Sequence, residues 1–202
     1  MKMKLFVLAS IALCGVVGCI PTSINPLYTA QDLVFDPALV GVWSGDGDSK
    51  EKWAFEKEGD TAYKLVYTDD EGKTGRFEAH LVKLGDTQFL DLFPDESGIE
   101  EMNQSVFYKL HLLRAHSFLK VTRITPALQM APLDLKWLRD YLAKYPKAIA
   151  HQKFGEGDDA QIVLTASTPE LRKFVVKHLS TEGAFGDPIN LKRHPSETKP
   201  QK

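Results

Sequence analysis

Residues 52–68 read KWAFEKEGDTAYKLVYT. In the first half Trp53 and Phe55 alternate with Lys52, Ala54 and Glu56. In the second, Tyr63, Leu65 and Tyr67 alternate with Lys64 and Val66. A period of two sends successive side chains to opposite faces of a strand, so each segment has one apolar face and one wet face. The pattern extends in both directions. Leu39 to Ser44 is a candidate strand, Arg76 to Leu84 alternates Phe77, Ala79 and Leu81, and Gln88 to Phe93 follows. Asp69-Asp70-Glu71-Gly72 and Gly85-Asp86 are turn sequences. Short, consecutive, turn-bounded strands predict an antiparallel meander, either a barrel wall or a covered sheet.

After a polar loop over 94–104, the apolar runs Tyr108–Leu113 and Phe118–Ile124 flank Arg114–Ser117 and read as a hairpin, with helix as the alternative for the first run. Two helices are expected beyond it. Asp134 N-caps one over 134–145, with Trp137, Leu138, Tyr141 and Leu142 on one stripe and Pro146 past its end. Gln161–Leu164 is a short strand. Ser167 or Thr168 caps a second helix over 168–181, with Pro169 and Glu170 in its first turn and Leu171, Phe174, Val175, His178 and Leu179 on its stripe. The expected class is therefore α+β: mainly an antiparallel β-meander with two C-terminal helices. The expected organisation is a leader over 1–18, a tether over 19–37, part of which packs on the body through Leu27, Tyr28, Leu33, Val34 and Phe35, one β-rich domain over 38–192 and a disordered polar tail over 193–202.

The leader is read from charge and apolar length. Met1-Lys2-Met3-Lys4 is a positive start, and Leu5 to Leu13 is a continuous apolar run. This is a secretory signal layout, too short to span a bilayer, which needs about 20 apolar residues. Val16-Val17-Gly18-Cys19 then resembles the lipobox of bacterial lipoproteins, with Val16 where leucine is usual. Cys14 is a poorer candidate, because Leu13 stands where the pattern wants a small residue. The resemblance implies cleavage before Cys19, a diacylglycerol on its sulfur and often a third acyl chain. Two or more chains give stable anchoring. Ile20, rather than aspartate, after that cysteine implies the outer membrane, facing the periplasm, in a two-membrane cell. The chain as a whole resembles small lipoproteins of bacterial envelopes, a likeness that implies no activity.

Gly41-Val42-Trp43 is similar to the Gly-x-Trp signature of the lipocalins and wider calycin barrels. There the glycine permits close packing, and the tryptophan plugs the closed end of the barrel, often under an arginine from a late strand. The resemblance implies that Arg123 or Arg114 takes that part. It covers Leu39 to Ile124; the second family motif, Thr-Asp-Tyr, is absent, and two helices exceed the plain family pattern.

Composition excludes several classes. A formal charge of −2, made more negative by loss of Lys2 and Lys4, argues against nucleic acid as the main partner. Both cysteines lie within the first 19 residues, so the mature body has no disulfide, thiolate metal site or cysteine nucleophile. Six histidines occur, His80, His111, His116, His151, His178 and His194, none in His-Glu-x-x-His. His111 and His116 could face each other across a hairpin, but two imidazoles do not make a metal site. His178, on an apolar stripe, reads as a hydrogen-bonded core residue. Asp46-Gly47-Asp48, the 69–72 turn and the 155–159 segment read as solvated turns. No catalytic residue, cofactor or metal is assigned, and a non-enzymatic domain is the leading reading.

The aromatics Trp53, Phe55, Tyr63, Tyr67, Phe77 and Phe89 lie on successive strands. If their face lines a barrel they form a pocket for a small apolar ligand; otherwise they fill the core. The expected function is a lipid-anchored envelope protein with a binding or accessory domain. The alternatives are an assembly partner without a pocket and an enzyme of unrecognised type.

Overall fold

A computed structural model describes residues 20–194 except 46 and 48. The leader, Cys19, Asp46, Asp48 and residues 195–202 lie outside the described residues. In chain order the elements are β1 (Thr22–Ser23), β2 (Leu33–Val34), β3 (Gly41–Ser44), β4 (Lys52–Glu58), β5 (Ala62–Thr68), β6 (Thr74–Leu84) and β7 (Thr87–Pro94). Two short helices, α1 (Glu96–Glu100) and α2 (Val106–Lys109), precede β8 (Ser117–Arg123) and β9 (Ala127–Pro132). Then come α3 (Leu135–Lys144), β10 (His151–Phe154), β11 (Gln161–Leu164), α4 (Thr168–Lys177) and β12 (Ile189–Arg193).

Eight antiparallel strands close into a barrel in the order β3-β4-β5-β6-β7-β8-β9-β12 and back to β3. The seam is short, Lys192 opposite Ser44 and Arg193 opposite Trp43. The long β6 pairs with β5 along its first part and β7 along its second, and β2 takes up its free edge at Leu81 and Val82. Closure removes the unpaired strand edges that an open sheet would expose.

Pairing direction fixes the two ends. The β4–β5, β6–β7 and β8–β9 turns lie at one end, which the segment 35–39 covers. There Tyr63 Oη donates to Asp36 O (3.1 Å) and accepts from Asp36 N (2.7 Å), and Phe35 stacks on the Tyr63 ring at 4.9 Å. Gly41 enters β3 with φ of 126°, a conformation that L side chains rarely adopt. Trp43 is fully buried, donating Nε1 to Leu39 O (2.8 Å). The cation over its ring is neither Arg123 nor Arg114 but Arg193, 4.2 Å from the ring centroid, which donates its two Nη groups to Val40 O and Ala38 O. Arg123 is exposed and donates Nε to Ala127 O (3.3 Å), while Arg114 lies over Phe93 and donates to Pro94 O. Arg193 thus belongs to the closing strand of the barrel and not to a polar tail.

The described residues form two cores. One fills the barrel, around Trp43, Phe55, Tyr63, Leu81, Leu90, Leu119 and Leu128. The other lies outside the wall, where α3, α4, β10 and β11 cover Val82, Phe89 and Phe118. Strands β4 and β5 alternate because their outer face meets water. From the end of β6 through β8 the runs are nearly continuous because both faces are covered, with Leu90 and Leu92 inward and Phe89 outward.

Residues 20–37 pack on the body as a strap, as their apolar residues lead one to expect. β1 pairs in parallel with β11, and Ser23 and His116 exchange backbone hydrogen bonds. Leu27 is buried and its N–H donates to Asp91 Oδ2 (2.9 Å). Asn25 Nδ2 donates to Ala166 O (2.8 Å), and Thr168 Oγ1 to Pro26 O (2.9 Å). The prolines shape this strap without releasing it, because its polar groups are met by the domain. Helix caps follow the local chemistry: Asp134 Oδ1 accepts from Trp137 N (2.6 Å), and Ser167 and Glu170 form a capping box on α4. The run Tyr108–Leu113 is not a strand: α2 and a turn occupy it, N-capped by Ser105.

Candidate functional site

The end of the barrel opposite segment 35–39 is open and apolar. Strand direction alternates, so this mouth is formed by the starts of β4, β6, β8 and β12 and the ends of β3, β5, β7 and β9. Inward residues in those positions are Trp53, Leu65, Tyr67, Phe77, Leu92 and Ile189, and they line a cavity of about 200 Å³. Ile20 and Thr22 of the strap close one side, and Glu51 and Ser117 supply polar atoms at the rim. The walls are far more apolar than polar, which suits a hydrocarbon chain or ring. At about 200 Å³ it is smaller than the roughly 300–1,000 Å³ of sites that enclose drug-sized molecules.

Of the six strand aromatics expected to line a pocket, three do so and three do not. Trp53, Tyr67 and Phe77 line it; the Trp53 and Tyr67 rings meet edge-on at 5.1 Å. Phe55 and Tyr63 lie two and four residues further in than Trp53 and Tyr67 along the same strands and fill the barrel. Phe89 points out of the barrel into the helix-covered core, with its ring 6.3 Å from that of Phe185.

The rim is acidic. Glu51 Oε1 accepts from Trp53 Nε1 (3.0 Å), fixing the indole. The Tyr67 phenol is pushed up to about 12, first by burial and then by the carboxylates of Glu51, Asp69 and Asp70. Asp69 also holds its turn, accepting from Glu71 N and Lys73 N, and Asp70 Oδ1 accepts from Ser49 Oγ (3.0 Å). A carboxylate placed beside Glu51 and Tyr67 meets like charge on that side of the rim.

The histidines do other things. His116 does not face His111: its Nδ1 bonds Asp91 Oδ1 at 2.7 Å, and its ring stacks on Phe93 at 4.3 Å. His111 Nδ1 bonds Phe107 O (2.8 Å). Asp91, 1% exposed, has one oxygen on His116 and the other on Leu27 N–H, so this buried pair pins the strap to the barrel wall. His80 Nε2 bonds Glu78 Oε1 (2.8 Å) under the Tyr28 ring. His178 packs among Trp137, Tyr141 and Phe174 with Nδ1 on Thr181 Oγ1 (3.1 Å), and burial, then Lys177, holds its pKa below the usual value. Among the described residues no three His, Cys, Asp or Glu side chains come together as a metal site. No helix among them is long and apolar enough to cross a membrane.

Compared with protein-family models, with curated proteins and with solved structures, the chain matches none. The fold and the mouth define it as an eight-stranded antiparallel barrel with an open apolar end.

Proposed function

We propose that this chain is a lipid-anchored envelope protein, held through Cys19 at the periplasmic face of the outer membrane, whose barrel mouth binds one apolar chain or ring. The observation that carries the binding reading is the cavity walled by Trp53, Leu65, Tyr67, Phe77, Leu92 and Ile189. The anchor rests on the sequence Val16-Val17-Gly18-Cys19 after an apolar leader. Gly41, Trp43 and the Arg193 guanidinium above that indole support a lipocalin-like barrel. The acidic rim selects the head of the ligand: a neutral or cationic group is tolerated beside Glu51, Asp69 and Asp70, and a free carboxylate is disfavoured. The cavity volume admits the end of a chain, with the head at the rim.

Tryptophan emission tests this. A brominated long-chain alcohol quenches the wild-type protein saturably, and the corresponding fatty acid does so more weakly; the saturable part shrinks in Trp53→Phe, where Trp43 remains deeper in the barrel, and is unchanged in Trp137→Phe. If no saturable quenching occurs, or if it is as large in Trp53→Phe as in the wild type, the mouth is not the binding site, and the reading as an assembly partner without a ligand takes its place.

A further inference from the structure

The mouth carries a second apolar feature beside the cavity. The connection from β7 to β8, residues 95–116, leaves the rim after Pro94 and returns at Ser117, which lines the cavity. Within it Val106, Phe107, Leu110 and Leu113 are 75, 75, 74 and 87% exposed, the four most exposed large apolar side chains among the described residues. Tyr108 and Met102 are exposed beside them. The segment is tied down at its polar positions. Arg76 Nη1 donates to both carboxylate oxygens of Glu101 (2.7 and 2.8 Å), Lys109 Nζ donates to Glu100 O, and Ser105 Oγ accepts from Tyr108 N. A concentration of this kind marks an interaction surface. The opposite end presents exposed Gly59, Asp60, Gly85 and Asp86 at its turns, whereas at the mouth the polar turn 69–73 lies on one side and the exposed apolar side chains are gathered on the β7–β8 side.

What covers this apolar surface follows from where the described chain starts. Ile20 lines the mouth, and it is the residue that follows Cys19 in the sequence. On the reading that Cys19 is acylated, which this inference requires, the lipid chains leave the protein at the mouth and that end is drawn to the headgroup layer. Aliphatic and aromatic side chains interspersed with Lys109, His111 and Arg114 suit that layer. We propose that the β7–β8 connection inserts Val106, Phe107, Leu110 and Leu113 into the bilayer that holds the Cys19 lipid, so that the cavity opens onto the membrane and exchanges its ligand with it.

The test uses full-length protein purified in its processed form and reconstituted into vesicles of phosphatidylethanolamine and phosphatidylglycerol. Leu110→Cys, at an exposed position, carries an environment-sensitive fluorophore; Asp86→Cys, at the opposite end, is the control. The acylated Cys19 takes no label. The expected result is a blue shift at position 110 and loss of most of its emission when brominated lipids replace the ordinary ones, with water-like, unquenched emission at 86. Intact mass of the same sample separates the readings. An acylated chain with water-like emission at 110 overturns the docking alone, and an unacylated Cys19 overturns the anchor and the docking with it. Emission at 110 that is shielded but insensitive to brominated lipid marks a protein partner or a second copy, and also overturns the proposal.

Discussion

Replacing Arg193 with alanine removes three contacts that join the last strand to the closed end of the barrel. The guanidinium donates to Val40 O and Ala38 O and lies 4.2 Å from the centroid of the buried Trp43 ring. Hydrogen bonds from a charged donor contribute about 1.5–3 kcal/mol each. A partly desolvated cation over an indole adds about 1–2 kcal/mol. Water replaces part of this at a half-buried side chain, and the contacts are not additive, so a loss of about 3 kcal/mol is expected. With a urea dependence of about 2 kcal/mol per molar, the midpoint moves down by about 1.5 M. Arg193→Lys keeps the charge over Trp43 but cannot fork to two carbonyls, and recovers about half of the loss. Arg123→Ala, whose side chain is exposed, costs less than about 0.5 kcal/mol. Urea unfolding followed by circular dichroism reads all three. Arg193→Ala unfolding within about 0.5 kcal/mol of the wild type, or no more easily than Arg123→Ala, refutes the assignment of Arg193 as the closing residue.

Two more consequences concern buried polar groups. Asp91→Ala leaves the His116 ring nitrogen and the Leu27 N–H without their partner; a cost of about 3–5 kcal/mol is expected, with limited proteolysis now cutting within 20–30, and an unchanged digestion pattern would show that the strap is held by other means. His178 sits below its usual value of 6.5, so the unfolded chain takes up a proton below that pH which the folded protein refuses. The associated stability is present above pH 6.5 and lost as pH falls through the lowered folded value. Unfolding curves at pH 7.5 and 5 should therefore differ less in His178→Gln than in the wild type, and equal differences would remove His178 from the account.

The wall of the barrel was legible where one face is wet. Alternation in 52–68 and 76–81 marks β4, β5 and the first part of β6, because water on the outer face keeps Lys52, Glu56 and Lys64 polar. Where helices cover the outer face that signal vanishes. Phe89 and Leu90 read alike in the sequence, yet one belongs to each core. β12 is short and of mixed polarity, and takes its place from pairing across long sequence separations with β9 and β3. That is why Arg193 reads as the head of a polar tail and the seam of the barrel stays hidden. The candidate site was half legible. Its aromatic face is visible in the period of two, but which aromatics reach the mouth depends on their height in the barrel. Height separates Trp53 and Tyr67, paired near the rim, from Phe55 and Tyr63, which lie two and four residues further in along the same strands; Phe77 shares the row of Leu65 and Phe55, so register alone does not mark it as a lining residue. The apolar run at 108–113 reads as one arm of a hairpin, with helix as the alternative, because apolar residues without a clear period are ambiguous, and a helix of four residues leaves little imprint.

The central claim is that the mouth holds an apolar ligand. Native mass spectrometry of the processed full-length protein, extracted gently from its own membrane, tests it most directly. The account predicts an added mass of one small apolar molecule with a neutral or cationic head, present on the wild type and lost when Leu65→Trp fills the cavity. A wild-type protein carrying its acyl chains and nothing more, or an added mass that Leu65→Trp leaves in place, would contradict it.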